Sequence, residues 1–205
     1  MKGTVPLLLP DGTEAKQYDE WYSSINTWPS KIWYRGRGLK LKDLLAAAGG
    51  LREDATLINF ISSDGFKATF TVQELLREPA FRFPNFIDSG LEGHLSGDSA
   101  NAVSVEPMIA HHSFSAHTKV EIRLGERFDS NDGNHLLFGQ RAVSHQNNPR
   151  FAKYVTKIEV LTDEIPVWDP PTAAPVPGSV AAGTTVELEG PFGDEDKVYY
   201  TLDGS

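Results

Sequence analysis

Apolar and polar positions alternate legibly in several stretches of the chain. Leu41, Leu44, Leu45 and Ala48 recur at i, i+3, i+4 and i+7 and stop at Gly49-Gly50, which predicts a short amphipathic helix. Residues 55–61 are rich in β-formers and run into the turn signal Ser62-Ser63-Asp64-Gly65, after which residues 67–70 resume the strand pattern. A hairpin follows from that order. Thr71 stands three residues before Glu74, with Val72, Leu75 and Leu76 between there and Pro79, and this predicts a second short helix opened by a reciprocal cap. Further strands are expected over residues 102–109, 119–124, 135–138 and 154–161. Residues 81–101, dense in Gly, Ser, Asp and Pro, are expected to form a long ordered loop. Strands outnumber helices, and the helices are short, so the body is read as α+β.

Beyond the body, residues 165–178 hold five prolines. Proline removes amide donors and fixes φ, so the segment is read as an extended linker over 166–178 between a domain at 1–165 and a small β module at 179–205. Trp168 is expected to lie against one of the flanking modules. In the module, residues 184–189 and 198–201 alternate as two strands around Gly190-Pro191-Phe192-Gly193-Asp194. So short a segment cannot bury a sandwich core alone, and the domain is expected to be truncated.

Charge sharpens this division. Of 28 Asp plus Glu and 19 Lys plus Arg in 205 residues, nine acidic residues and one basic residue lie in 161–205, so the body is near neutral and the tail strongly acidic. A net charge of −9 with no Lys/Arg run argues against nucleic acid. The absence of cysteine excludes disulfides, thiolate metal sites and Cys nucleophiles. No apolar stretch reaches the length of a membrane span.

Several residue groups invite a chemical reading. His111, His112 and His117 cluster, with His135 and His145 further on, but no carboxylate falls at a recognised ligand spacing, and no metal site is assigned. Asp129-Ser130-Asn131-Asp132-Gly133-Asn134 has the oxygen density of a calcium loop without its final Glu, and is read as a turn. Gly36-Arg37-Gly38 lacks the frame of a dinucleotide loop. Arg35 and Arg37 beside Trp28, Trp33 and Tyr34 are either contacts for a planar anion or surface guanidinium groups packed over rings. No catalytic residue is assigned.

Three segments stand in a suggestive order. They are residues 23–29 (Ser-Ser-Ile-Asn-Thr-Trp-Pro), residues 38–49 with Gly-x-x-Leu-x-x-Leu-Leu at Gly38, Leu41, Leu44 and Leu45, and residues 60–66 (Phe-Ile-Ser-Ser-Asp-Gly-Phe). With Leu137-Phe138-Gly139-Gln140 and residues 146–160, they resemble the molybdopterin-binding domain of the sulfite oxidase family over most of residues 20–162. The resemblance implies a compact, mostly-β α+β domain. It also implies a molybdenum ligated by a cysteine, at a position that falls near Ser24, Ile25 or Asn26, where this chain has no thiolate. The branch it resembles occurs in secreted or surface proteins of Gram-positive bacteria. Residues 175–205, ending Tyr-Tyr-Thr-Leu-Asp-Gly-Ser, resemble the first half of the immunoglobulin-like domain at the C-terminus of chitobiases.

These resemblances imply a secreted or cell-surface module of oxidoreductase fold that binds or scaffolds without Cys-ligated molybdenum. The alternative is a molybdopterin-dependent oxidoreductase with a thiolate-free metal site. A pterin or other small molecule is the implied ligand, and other extracellular modules of the same polypeptide are the implied partners. Ser24, Asn26, Arg35, Asp64, His111, His112, Gln140 and Asn147 are the residues expected to converge on the ligand.

Overall fold

The computed structural model describes residues 8–27, 30–86, 100–118, 122, 133–163, 172–175, 178–179 and 181–190. The chain divides into two compact units, Met1–Glu164 and Ile165–Ser205. Strands dominate it, and the principal sheet curls into a half-barrel.

In the first unit, β1 (Tyr18–Ile25), β2 (Lys31–Lys40), β7 (Met108–Ala116) and β8 (His135–Leu137) form an antiparallel sheet in the order β1-β2-β7-β8. A second antiparallel sheet is built from β3 (Leu57–Ser62), β4 (Lys67–Thr71) and β9 (Val155–Leu161), with β3 in the centre. Helix α1 (Leu41–Ala47) follows β2 directly and buries Leu41 and Leu45 from the apolar stripe of its sequence. Strands β5 (Phe81–Arg82) and β6 (Val103–Ser104) pair with each other, and Phe81 also exchanges both backbone hydrogen bonds with Gln140, at 2.9 and 2.8 Å.

The main core joins Tyr22, Tyr34, Met108 and Leu137 to Ile58, Phe60 and Phe70, with Leu41, Leu45 and Phe151. Phe60, Phe70, Phe138, Phe151 and Tyr34 run through it as consecutive edge-to-face ring pairs, centroids 5.0–5.6 Å apart. A second buried cluster contains Ile25, Trp33, Phe83, Phe86, Ala116 and Ile122. Trp33 belongs to the second cluster and Tyr34 to the first, as the alternation of a strand requires. The sheet is therefore covered on both faces around Ile25 and Trp33, while Asp19, Arg35 and Arg37 toward its other end stay partly exposed, and the end of β1 reads as a continuous buried run, Tyr22 through Ile25.

Several expectations need correction. Residues 18–40 carry no strand signal in the pattern, yet they supply β1 and β2. The strand expected over 102–109 is two elements, β6 and the start of β7, and β7 continues through both histidines at 111 and 112. The second helix is a single π-type turn, Gln73–Arg77, closed by Glu78 N–H donating to Gln73 O at 2.9 Å. Only half of its cap forms: Thr71 Oγ1 accepts from Glu74 N–H at 3.0 Å, while the Glu74 carboxylate pairs with Arg150 at 2.5 Å. An arginine is a stronger partner for a carboxylate than a backbone amide.

The second unit contains β10 (Thr172–Ala174) paired antiparallel with β11 (Glu187–Glu189). Residues 172–174, expected within the linker, are thus a strand. Trp168, the strand expected at 198–201, the loop 129–132 and most of 119–124 lie outside the described residues.

Candidate functional site

The eight expected residues separate into three places. The first is a buried polar network, and Asn26 stands at its edge. Gln140, fully buried, accepts from Ser23 Oγ at 2.6 Å and donates through Nε2 to the carbonyls of Val143 (3.1 Å) and His145 (2.9 Å). Asn147, also fully buried, accepts from Ile25 N–H at 3.3 Å and donates to Phe138 O at 3.0 Å and Ser23 O at 3.4 Å. Ser24 Oγ donates to Ile32 O at 2.8 Å and accepts from Asn148 Nδ2 at 3.1 Å. These bonds fasten β1 to the segment 138–148, which has little regular pairing of its own. Buried polar groups need partners, and here each partner is another part of the framework.

This arrangement bears on the cofactor implied by resemblance. Ser24 is buried and its hydroxyl proton is committed to a carbonyl, Ile25 is part of the second apolar cluster, and Asn26 is exposed with its N–H donating to Ser30 O at 3.2 Å. None of the three is placed as a metal ligand. The residues present at these three positions do not fit a protein-ligated molybdenum.

The second place is the opposite end of β1 and β2. Arg35 donates to Asp19 through Nε (2.8 Å) and Nη2 (3.2 Å), and Arg37 donates to the same carboxylate at 3.2 and 3.0 Å. Partial burial works to raise the Asp19 pKa, but the two guanidinium groups outweigh it and hold it below the ordinary carboxylate value. The pairing of β2 with β7 slips between Arg37 and Gly38, leaving His111 as the extra residue between Ala110 and His112. A bulge of this kind lets neighbouring side chains share a side, and the His111 and His112 rings stand 4.7 Å apart. Partial burial, then His112 and Arg37, lower the His111 pKa. A polar cleft of about 460 Å³ lies nearby, lined by Asp19, Glu20, Trp21, Arg35, Arg82 and Ile122. Arg82 pairs with Glu20 and lies over the Trp21 ring, 4.3 Å from its centroid. Both arginines at 35 and 82 are thus held by carboxylates on the cleft wall.

The third place is the β3–β4 turn. Asp64 Oδ1 accepts from Phe66 N–H at 3.0 Å, and Gly65 adopts φ +90°, a conformation that favours glycine. A cleft of about 340 Å³ opens beside the turn, lined by Ser62, Asp64, Phe66, Asn148, Pro149, Phe151, Lys153 and Tyr154. Asn148 is the link between this cleft and Ser24. Sequence reasoning selects Asp64 here and misses Ser62, Phe66 and Tyr154. Phe66 is legible as an apolar residue directly after a turn dipeptide; Tyr154 carries no local signal.

No family model, no curated protein and no solved structure matches the chain.

Proposed function

We infer that the first unit is a binding or scaffolding domain that works without protein-ligated molybdenum, carried by a secreted or cell-surface bacterial protein. The observation that carries the reading is the commitment of Ser24, one of the three residues near which the resemblance puts the family's thiolate, to Ile32 O and Asn148 in a buried framework network. A hydroxyl that donates its proton to a carbonyl is not available as an anionic metal ligand. The surface placement rests on the sequence resemblances of both units. The reading is also supported by open clefts at two separate places on the first unit, which suit recognition of small polar molecules.

The test is elemental analysis for molybdenum and tungsten, with pterin fluorescence after denaturation, on the full chain made in a host that synthesises the cofactor. Trace metal and no pterin are the expected result. Near-stoichiometric metal and pterin would overturn the reading in favour of an oxidoreductase with a thiolate-free site.

A further inference from the structure

We propose that the cleft beside the β3–β4 turn binds a neutral saccharide ring, stacked against Phe66 and Tyr154 and hydrogen-bonded by Ser62 and Asp64. This rests on reading the domain as a binding module and names the class of its ligand.

Four observations meet at this cleft. Phe66 and Tyr154 are 44% and 42% exposed, and among the described residues they are the only large aromatic side chains so exposed. Both line the same cleft, with Pro149 and the buried Phe151 as further apolar lining. Ser62, only 4% exposed, lines it too, and its Oγ has no hydrogen-bond partner. That Oγ is closed to solvent, so a turn of the Ser62 side chain toward the cleft is needed for a ligand oxygen to remove the cost of the unpaired hydroxyl. Tyr154 has φ +54°, rare for a bulky side chain. That backbone is held on both sides, with Tyr154 N–H donating to Gly133 O and Tyr154 O accepting from Ser63 N–H, each at 3.0 Å. The hydrogen bond from Ser63 ties Tyr154 directly to the turn that carries Asp64 and Phe66.

The chemistry of this lining selects a saccharide over an ion or a flat apolar ring. Asp64 and Lys153 contribute opposite charges, so the described lining carries no net charge to favour an ion of either sign. A pyranose presents C–H bonds that pack on the electron-rich faces of aromatic rings. Its hydroxyls both donate and accept, which matches a carboxylate and a serine hydroxyl side by side. The volume lies within the range of about 300–1,000 Å³ usual for small-molecule sites.

The experiment is a titration of the ¹⁵N-labelled full chain with cellotriose, with triacetylchitotriose and, as a planar apolar control, with indole, followed by amide shifts. Saturable shifts from at least one sugar, centred on residues 62–66 and 153–155, are expected. Tyr154→Gly removes the ring at a position where glycine is at ease, and Phe66→Ala removes an exposed ring; each should weaken binding about tenfold while the remaining spectrum stays dispersed. The proposal is overturned if neither sugar shifts these amides at millimolar concentration, if only indole does, or if both variants bind as the parent does. Metal and pterin content is a separate readout: a stoichiometric cofactor would sink the binding-module reading whatever the sugars do, and silent sugars with no cofactor would sink the saccharide assignment alone.

Discussion

Replacing Gln140 by Glu tests whether this residue is a framework peg, because the change keeps the shape and alters only the hydrogen-bonding character of one atom. The side chain is fully buried, and its Nε2 donates to two carbonyls at 3.1 and 2.9 Å. In Gln140→Glu that atom becomes an oxygen facing two oxygens. If ionised, the carboxylate is a buried charge without a cation in place of those two hydrogen bonds, a loss of about 3–5 kcal/mol. If protonated, its single O–H satisfies one carbonyl, and the loss falls to about 1–3 kcal/mol for the other. The folded state therefore raises the pKa of the introduced Glu above its unfolded value near 4.3. A group shifted in this direction binds more protons when folded, so the variant's deficit is smallest below the unfolded pKa and grows as pH rises through the folded pKa. Urea unfolding of parent and variant at pH 4.5 and pH 7 measures both deficits as differences at matched pH. A variant within about 0.5 kcal/mol of the parent at pH 7 would refute the argument, since it would mean that the two carbonyls do not depend on Gln140.

Three further expectations follow from the same geometry. Burial, reinforced by Arg141 and Arg150, pulls the His145 pKa down to about 4; the unfolded chain then binds the proton more readily, so His145 withdraws stability as pH falls from about 6.5 toward 4, and an imidazole resonance titrating near 6.5 in the folded protein would contradict this. A Cβ on Gly38 would lie 2.0 Å from Ile109 O, whereas one on Gly36 would first meet the Leu137 side chain at 2.6 Å; Gly38→Ala should cost at least about 3 kcal/mol and more than Gly36→Ala, because backbone yields less than a side chain, and equal denaturation midpoints would exclude it. Ser62→Ala and Tyr154→Gly should each stabilise the unliganded protein by about 1 kcal/mol, the first by removing an unpaired hydroxyl and the second by relieving a left-handed backbone, and a fall in Tm in either would count against the cost assigned to that residue.

Local pattern is enough for α1 and for the β3–β4 hairpin, because their apolar spacing and turn residues act over a few positions. Leu41 and Leu45 are buried from a helix that stops where Gly49 and Gly50 stand, and Asp64-Gly65 makes the turn that its residue types favour. The strand at His135–Leu137 is legible instead as a short apolar run that follows Gly133-Asn134 in the sequence. The strands β1 and β2 are not legible, because several of their buried positions are held by Ser23, Ser24, Lys31, Gly36 and Gly38, where a strand is recognised by apolar side chains. Polarity alone marks Gln140, Asn147 and Ser24 as residues of interest, but whether a buried amide serves a ligand or the framework depends on what stands within hydrogen-bond reach. That is decided by contacts between residues more than a hundred positions apart, Ser23 with Gln140 and Ser24 with Asn148. The same holds for the histidine pair, whose rings meet through a one-residue slip against Gly38, and for the turn cleft, where Tyr154 reaches Phe66 and Ser62 through the pairing of β9 with β3. Sequence determines the elements whose signals are local; the clefts arise from pairing register and long-range contacts, which only the folded chain brings into being.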